Sequence, residues 1–398
     1  MKALVVGAGL AGPLAAMALR RAGIEPVVVE RHGPPNPTSG SWFTVSPNGL
    51  DALAAVGVLD LAKGLGVAHE RNVLVSATGR ELGTLPLGSP LADGTPALTM
   101  KRSELTAALV DEATRRGIGF RWNAGLETAR RDGDRVVATL ADGSTLAADL
   151  LIGADGVHSP TRRLIDPGAP AARYVGLTNF GGITPGGSAL LDGPDAVAEQ
   201  WRMVFGRRAF FGHFAHPNGD VVWFVNVPEP AITPQERART TDDQWRWKLI
   251  ALMEGDAGPA ARLIEAGILE LAGDNTHDLG HVPTWHRDRM IVIGDAAHAP
   301  APSSGQGASM AAEDAVVLAQ CLRDLPDIDS AFAAYESRRR ARVERIVKTG
   351  ARSSSTKSPG ALQQLMLRAI FRYAVTPKNT AWMYDHRLCW NETVTTTR

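Results

Sequence analysis

Hydrophobic positions along this chain fall into short apolar runs separated by glycine-rich punctuation. Ala3-Leu-Val-Val6 is an apolar run of the kind shown by a strand buried on both faces. Beyond Gly7-Ala-Gly-Leu-Ala-Gly12 the pattern turns helical from Pro13 to Ile24, with proline early in the helix where its missing N–H costs little. Pro26-Val-Val-Val-Glu30 reads as a second strand that ends in a carboxylate. Two more buried strands are predicted at 149–152 and 290–293, each running into a glycine turn. Helices are predicted over 46–57, 102–117 and 308–322, and a long one over 329–348. The charges from Arg338 to Arg342 make a solvated face the simplest reading of that last helix.

Residues 71–88 and 119–148 alternate strands with tight turns such as Ala77-Thr-Gly79 and Ala141-Asp-Gly-Ser144. Residues 165–288 differ in character. Phe205, Phe210, Phe211, Phe214, Trp223 and Phe224 sit there on strand-like runs, and alternation alone leaves open which face meets a ligand. Arg202, Arg207 and Arg208 flank a turn and read as solvated.

Strand, glycine turn, helix, strand and acid, in that order, form a dinucleotide-binding unit. Gly7 allows the tight turn, Gly9 lets backbone approach a pyrophosphate, and Gly12 lets helix and strand pack closely. The helix start offers free N–H groups to phosphate, and Glu30 suits ribose hydroxyls. With 41 glycines in the chain the bare spacing is a weak signal, so the surrounding strands, helix and acid carry it. A second segment, Gly153-Ala-Asp-Gly-Val-His-Ser-Pro-Thr-Arg162, reads equally well as a plain strand-to-helix turn. The third is Gly294-Asp-Ala-Ala-His298 followed by Pro302 and Gly305-Gln-Gly307 at a helix start. It supplies a hydrogen-bonding carboxylate and a second anion-friendly helix end.

Composition narrows the class. A length of 398 residues with 44% hydrophobic content supports a large core in two domains or two interlocked ones. Zero net charge gives no sign of a nucleic-acid or anionic-membrane partner. Cys321 and Cys389 are too few for a disulfide framework and lack metal spacing, so no metal site is expected. No 18-residue apolar span is present, and the glycine fingerprint accounts for the apolar N-terminus without a secretory leader. A cytoplasmic setting is expected.

The three glycine segments, taken in order, resemble those of the FAD-dependent aromatic hydroxylases, the class A flavoprotein monooxygenases typified by para-hydroxybenzoate hydroxylase. The resemblance spans about residues 2–350. It implies an α/β fold class: a Rossmann-like FAD-binding domain interleaved with a β-sheet substrate domain, plus C-terminal helices. The boundaries expected are 1–70, 96–164 and 286–355 for the FAD-binding domain. The substrate sheet takes 71–95 and 165–285, and 356–398 forms a C-terminal helical segment.

The resemblance also implies non-covalent FAD, held by Gly7, Gly9, Leu10, Ala11, Gly12, Glu30 and Arg31 of the first segment. Arg102 matches the arginine that lies along the pyrophosphate. Asp155 and Gly156, with Ser159 and Arg162, match the motif linked to FAD and NAD(P)H. Asp295, Pro302, Gly305, Gln306, Gly307 and Ala308 match the segment whose aspartate holds the ribityl chain. Three departures stand out: His158 where relatives usually carry arginine, Ser309 in place of a common asparagine, and Ser303-Ser304 after Pro302.

The function implied is insertion of one atom of O2 into an aromatic or polycyclic natural-product substrate through a flavin C4a-hydroperoxide, with NADPH or NADH as co-substrate. Phe211, His213, Trp223 and Pro302 are the substrate-binding candidates, and the ligand expected is a small, apolar, neutral aromatic. No catalytic acid or base is assigned; His298 more simply fixes its loop beside Asp295. Trp245-Arg-Trp247 superficially matches a halogenase motif, but Leu249-Ile250 stands where Ile-Pro is expected. The alternatives are another flavin oxidoreductase (epoxidase, oxidase or halogenase) or a non-catalytic binder of flavin or an apolar ligand. A monomer or homodimer is expected.

Overall fold

The apolar runs pair as parallel strands. Lys2–Val6 lies between Glu25–Val29 and Leu150–Gly153, and Met290–Val292 extends the sheet on the far side of Leu150–Gly153. Gly119–Arg121 closes one edge and the short antiparallel strand His286–Arg287 the other. The computed structural model describes residues 1–37, 40–197, 199–354 and 376–395. Leu4, Val5, Leu150, Leu151 and Ile152 are at most 1% exposed, which is why these strands carry no polar face. Each such side chain stabilises the fold by about 1.5–3 kcal/mol.

Helix Ala11–Arg21 packs beside helix Gly307–Asp324, and both lie against this sheet. Helix Pro47–Val56 starts at a proline and stops where Gly57 turns left-handed at φ 76°. Helix Arg102–Arg115 follows strand Ala97–Lys101 directly.

A second sheet of seven strands has the order Ile268–Asp278, Arg173–Thr184, Val221–Pro228, Phe210–Ala215, Trp201–Phe205, Arg71–Ser76, Glu81–Pro86. All neighbours are antiparallel except Trp201–Phe205 with Arg71–Ser76, which are parallel. Its back face packs on helices Asp242–Met253 and Ala260–Ala266 through Trp245, Leu249, Met253, Leu263 and Ile264. These two helices were not expected from periodicity. The first has a local signal all the same, a capping box in which Thr241 and Gln244 exchange side-chain and backbone hydrogen bonds. A buried ion pair, Lys101 with Glu270, ties the two parts together.

Helix Ile328–Ser354 corrects the reading of 338–342 as a solvated face. Arg339 is 1% exposed and points inward, its Nη1 2.6 Å from Glu313 and its Nε 2.6 Å from Asp314. A charge at helical spacing cannot reveal that its counter-ions sit on another helix. Of the predicted C-terminal helical segment, 356–375 and 396–398 lie outside the described residues; within the rest, Pro377–Tyr384 is helical.

Candidate active site

Four neighbouring parallel strands end on the same edge of the first sheet, so their following loops converge. Gly7 follows Val6, Glu30 follows Val29, Ala154 follows Gly153 and Gly294 follows the Met290–Val292 strand by one residue. Gly7 donates to Val29 O (2.8 Å), Ala154 to Val6 O (2.8 Å), and Ile293 to Gly153 O (2.9 Å), which staples the loops to one another. One cavity of about 1220 Å³ opens above this edge and runs to the second sheet.

Gly7, Gly9, Leu10, Ala11, Glu30 and Arg31 all line it, and so do Arg102, Asp155 and Gly156. Asp295, Pro302, Gly305, Gln306, Gly307 and Ala308 complete the wall on the other side. Gly12 alone of the expected cofactor set stands behind the wall, where a side chain would overlap the carbonyl oxygen of Gly7. Gly9 has open space where its side chain would be. Two helices, Ala11–Arg21 and Gly307–Asp324, point their N-termini into the cavity.

The acids have distinct local duties. Glu30 accepts the Ala8 N–H (2.7 Å) on one oxygen and the His32 N–H (2.9 Å) on the other, so it also locks the glycine turn. Asp155 accepts the Thr161 N–H (2.9 Å) and hydroxyl (2.7 Å) through Oδ2, while its Oδ1 is buried with no partner. Burial raises the pKa of Asp155, and that of Asp295 against the opposing pull of Arg102. Arg162 is a structural tie: it is 2% exposed and donates to Ala296 O (2.9 Å) and Val157 O (2.8 Å). His158 lines the cavity, and burial together with His277 and nearby arginines lowers its pKa.

Behind the Gly305–Gly307 turn lies a buried polar network. Asn48 donates to Gln306 (3.0 Å) and to Glu313 (2.7 Å), and Gln306 donates to Ser46 (3.0 Å). Asp314 accepts the Gly294 N–H (2.8 Å) and lies 2.6 Å from His298 Nε2. His298 therefore fixes its loop through Asp314 and does not line the cavity. Burial pushes Glu313 up, but Arg339 and Arg342 outweigh it and hold its carboxyl at about 2. Ser309 packs on the backbone of helix Pro47–Val56 at Gly49, where a side chain would meet its Oγ, and it does not line the cavity either.

The second sheet supplies the opposite wall in register. Gly181, Phe224, Gly212, Met203, Leu74 and Gly83 lie side by side across six strands. Asn179, Asn226, Phe210 and Phe205 form the next row, with Asn226 Nδ2 2.5 Å from Asn179 Oδ1. On the other side Ile183, Val222, Phe214 and Trp201 form a third, with Trp201 and Asn72 reaching the cavity. Among the described residues of this sheet, no lysine or arginine lines the cavity.

Three expectations are corrected here. Phe211 and His213 alternate onto the back face, where Phe211 joins the second core and His213 is 1% exposed with neither ring nitrogen partnered. Arg202 is not solvated; it is 5% exposed on that same face, 2.6 Å from Asp195. Trp223 borders the cavity beside Gly182, but its indole turns into the second core and donates to Thr184 Oγ1 (3.0 Å). Trp245 is buried and Trp247 is 69% exposed, and neither reaches the cavity. Sequence reading missed Trp42, Asn72, Trp201 and Met203 of the lining, together with Thr380, Met383 and Tyr384 from the last described helix. Arg342 holds that helix in place through Trp382 O (2.7 Å) and Met383 O (2.9 Å).

A family model described as an FAD binding domain matches residues 1–350. The chain is 32% identical over 352 residues to an FAD-dependent urate hydroxylase of Klebsiella pneumoniae, covering 87% of this chain and 88% of that protein. It is 30% identical over 346 residues to an aurachin C monooxygenase/isomerase of Stigmatella aurantiaca, covering 86% and 85%. The crystal structure of Klebsiella pneumoniae HpxO complexed with FAD and uric acid superposes with a TM-score of 0.80 at 27% identity, over 96% of this chain and 97% of that one.

Proposed function

As the chain belongs to the FAD-dependent aromatic hydroxylases, we propose that it inserts one oxygen atom into a neutral, largely apolar aromatic or polycyclic substrate at the expense of NADH or NADPH. The observation that carries this reading is a cavity joining the glycine edge of one sheet to an aromatic face of the other, on which no arginine or lysine stands among the described residues. In this reading 1–70, 96–164 and 286–355 hold the cofactor, and 71–95 with 165–285 hold the substrate. The setting is cytoplasmic; no described helix is long and apolar enough to cross a membrane.

The residues fit an extended, non-covalently held FAD. The open side of Gly9 and the start of helix Ala11–Arg21 suit its pyrophosphate, with Arg102 alongside. Asp155 and Asp295 offer acceptors to its hydroxyls. When bound and reduced by the nicotinamide co-substrate, the flavin supplies the oxygen-activating chemistry. The protein's share is geometric and electrostatic. N–H groups at Gly305–Gly307 and the helix they open favour negative charge beside them. Phe205, Phe210, Phe224 and Met203 exclude water and offer a flat apolar surface. A compact carboxylated substrate would call for an arginine fork from the sheet, and Arg202 faces away.

The test is NADH and NADPH oxidation coupled to product mass, run with hydroxybenzoates and with bicyclic and polycyclic phenols and quinones. The expected result is tight coupling with the polycyclic set. Full coupling with a simple benzoate would overturn the substrate reading, and absence of any oxygenated product would overturn the monooxygenase reading.

A further inference from the structure

Gly212 stands between Met203 and Phe224, its partners across the two neighbouring strands, on the face of the second sheet that borders the cavity. Both partners line the cavity and Gly212 does not. The ring of Phe224 leans across strand Phe210–Ala215 and covers it: a side chain at 212 would come within 2.4 Å of the Phe224 Cε1 and 2.6 Å of its Cζ. Gly181, the partner of Phe224 on the other side, is uncovered. It lines the cavity, and a side chain there would meet nothing closer than the Trp223 carbonyl oxygen at 3.6 Å. Trp201 and Phe210, from the rows on either side, bracket the reclining ring at centroid distances of 5.4 and 6.0 Å. The ring can therefore leave Gly212 only upward into the chamber or over onto Gly181, and each movement takes space from the cavity. Backbone conformation does not call for this glycine, since it lies in mid-strand and its φ is not positive. Glycine weakens a strand interior, so the room it leaves for Phe224 is what the position gains.

Resting on the aromatic-substrate reading above, we propose that Gly212 sets the size specificity of the chamber: its bare face lets Phe224 lie flat, which admits a fused-ring aromatic in preference to a single ring. A larger residue at 212 displaces the ring by about 1 Å or more before an ordinary carbon–carbon contact is reached. The atoms that would clash are the far end of the Phe224 side chain, so the ring yields before the backbone does. Gly212 touches no ligand and acts through Phe224, which makes it a positioning residue. Each added ring of a flat ligand buries more apolar area on a flat floor, so the loss on raising Phe224 grows with ring count.

The test uses FAD-loaded protein and reads ligand affinity by titration calorimetry, so no turnover is needed. The probes are phenol, 2-naphthol and 9-phenanthrol, in which the hydroxyl is constant and only the ring count changes. Wild-type protein is expected to bind 9-phenanthrol about tenfold or more tightly than phenol. Gly212→Ala should weaken 9-phenanthrol by about tenfold, 2-naphthol by less, and phenol by no more than about twofold. In a Phe224→Ala background the same change should shift no probe by more than about twofold, because only the Met203 sulfur, at 3.1 Å and flexible, remains near the new side chain. A wild type without preference for 9-phenanthrol would overturn the proposal. So would a Gly212→Ala effect that is absent, that is equal for all three probes, or that persists in full without Phe224. Should Gly212→Ala fail to fold or to retain FAD, adding Phe224→Ala must restore both, and a double variant that stays defective would overturn it as well. Size selectivity of this pattern in a protein giving no oxygenated product would sink the monooxygenase reading and leave this one standing. Coupled turnover of polycyclic substrates that Gly212→Ala leaves unchanged would sink this one alone.

Discussion

The carbonyl oxygen of Gly7 fills the space that a side chain at Gly12 would need. The turn and the first turn of the helix are thus in backbone contact, and this contact aims the helix N-terminus at the cavity. Gly12→Ala must push the helix off strand Lys2–Val6. The variant is expected to be isolated without flavin, with a lower melting temperature, as read by absorbance at 450 nm after desalting and by thermal denaturation. Stoichiometric FAD in Gly12→Ala would refute this role for the contact.

In the proposed reading Asp295, which lines the cavity, holds FAD by a charge-assisted hydrogen bond worth on the order of 1.5–3 kcal/mol, or roughly ten- to a hundred-fold in affinity. Burial already raises its pKa, so the apo-protein bears a cost for this carboxylate. Asp295→Ala should therefore lose FAD affinity while the apo-protein melts no lower than wild type. FAD titration and apo-protein melting check the two halves separately; unchanged affinity would rule the assignment out.

Arg339 bridges Glu313 and Asp314 with all three side chains at most 1% exposed. Arg339→Met leaves Glu313 with Arg342 and Asn48, and Asp314 with His298 and the Gly294 N–H. Breaking one member of a buried ionic group costs about 3–5 kcal/mol. Urea unfolding should show a loss of that size, and adding Asp314→Leu should restore part of it. A loss below about 1 kcal/mol would mean that the remaining partners suffice.

His69 is 5% exposed, and burial lowers its pKa to about 4 despite the opposing influence of Val67 and Asn72. The unfolded chain, near 6.5, takes up the proton more readily than the native one. Stability is therefore full above about pH 6.5 and falls as the pH drops towards 4, by about 1.4 kcal/mol per unit and about 3 kcal/mol in all. His213 contributes with the same sign, its burial again the main cause. His69→Phe should flatten the dependence of unfolding free energy on pH between 4 and 6.5. Equal slopes in wild type and variant would show that burial does not lower the pKa of His69 in the native state.

The cofactor edge was legible in the sequence because its constraints are local. Turn, close approach and helix start are each set within a few residues of Gly7, Gly153 and Gly294, and the strands between them are apolar on both faces. That these loops meet at all follows from strand order, with Leu150–Gly153 seated between Lys2–Val6 and Met290–Val292. The substrate wall was not legible. A period of two sorts Phe210 from Phe211 and Asn72 from Val73, yet it assigns neither set to the cavity, and helices Asp242–Met253 and Ala260–Ala266 decide by covering one face. Charge was misread for a related reason. Arg202 and Arg339 look solvated until Asp195, Glu313 and Asp314 arrive from elsewhere in the chain, because what stabilises a buried charge is a partner that only the tertiary structure brings within reach.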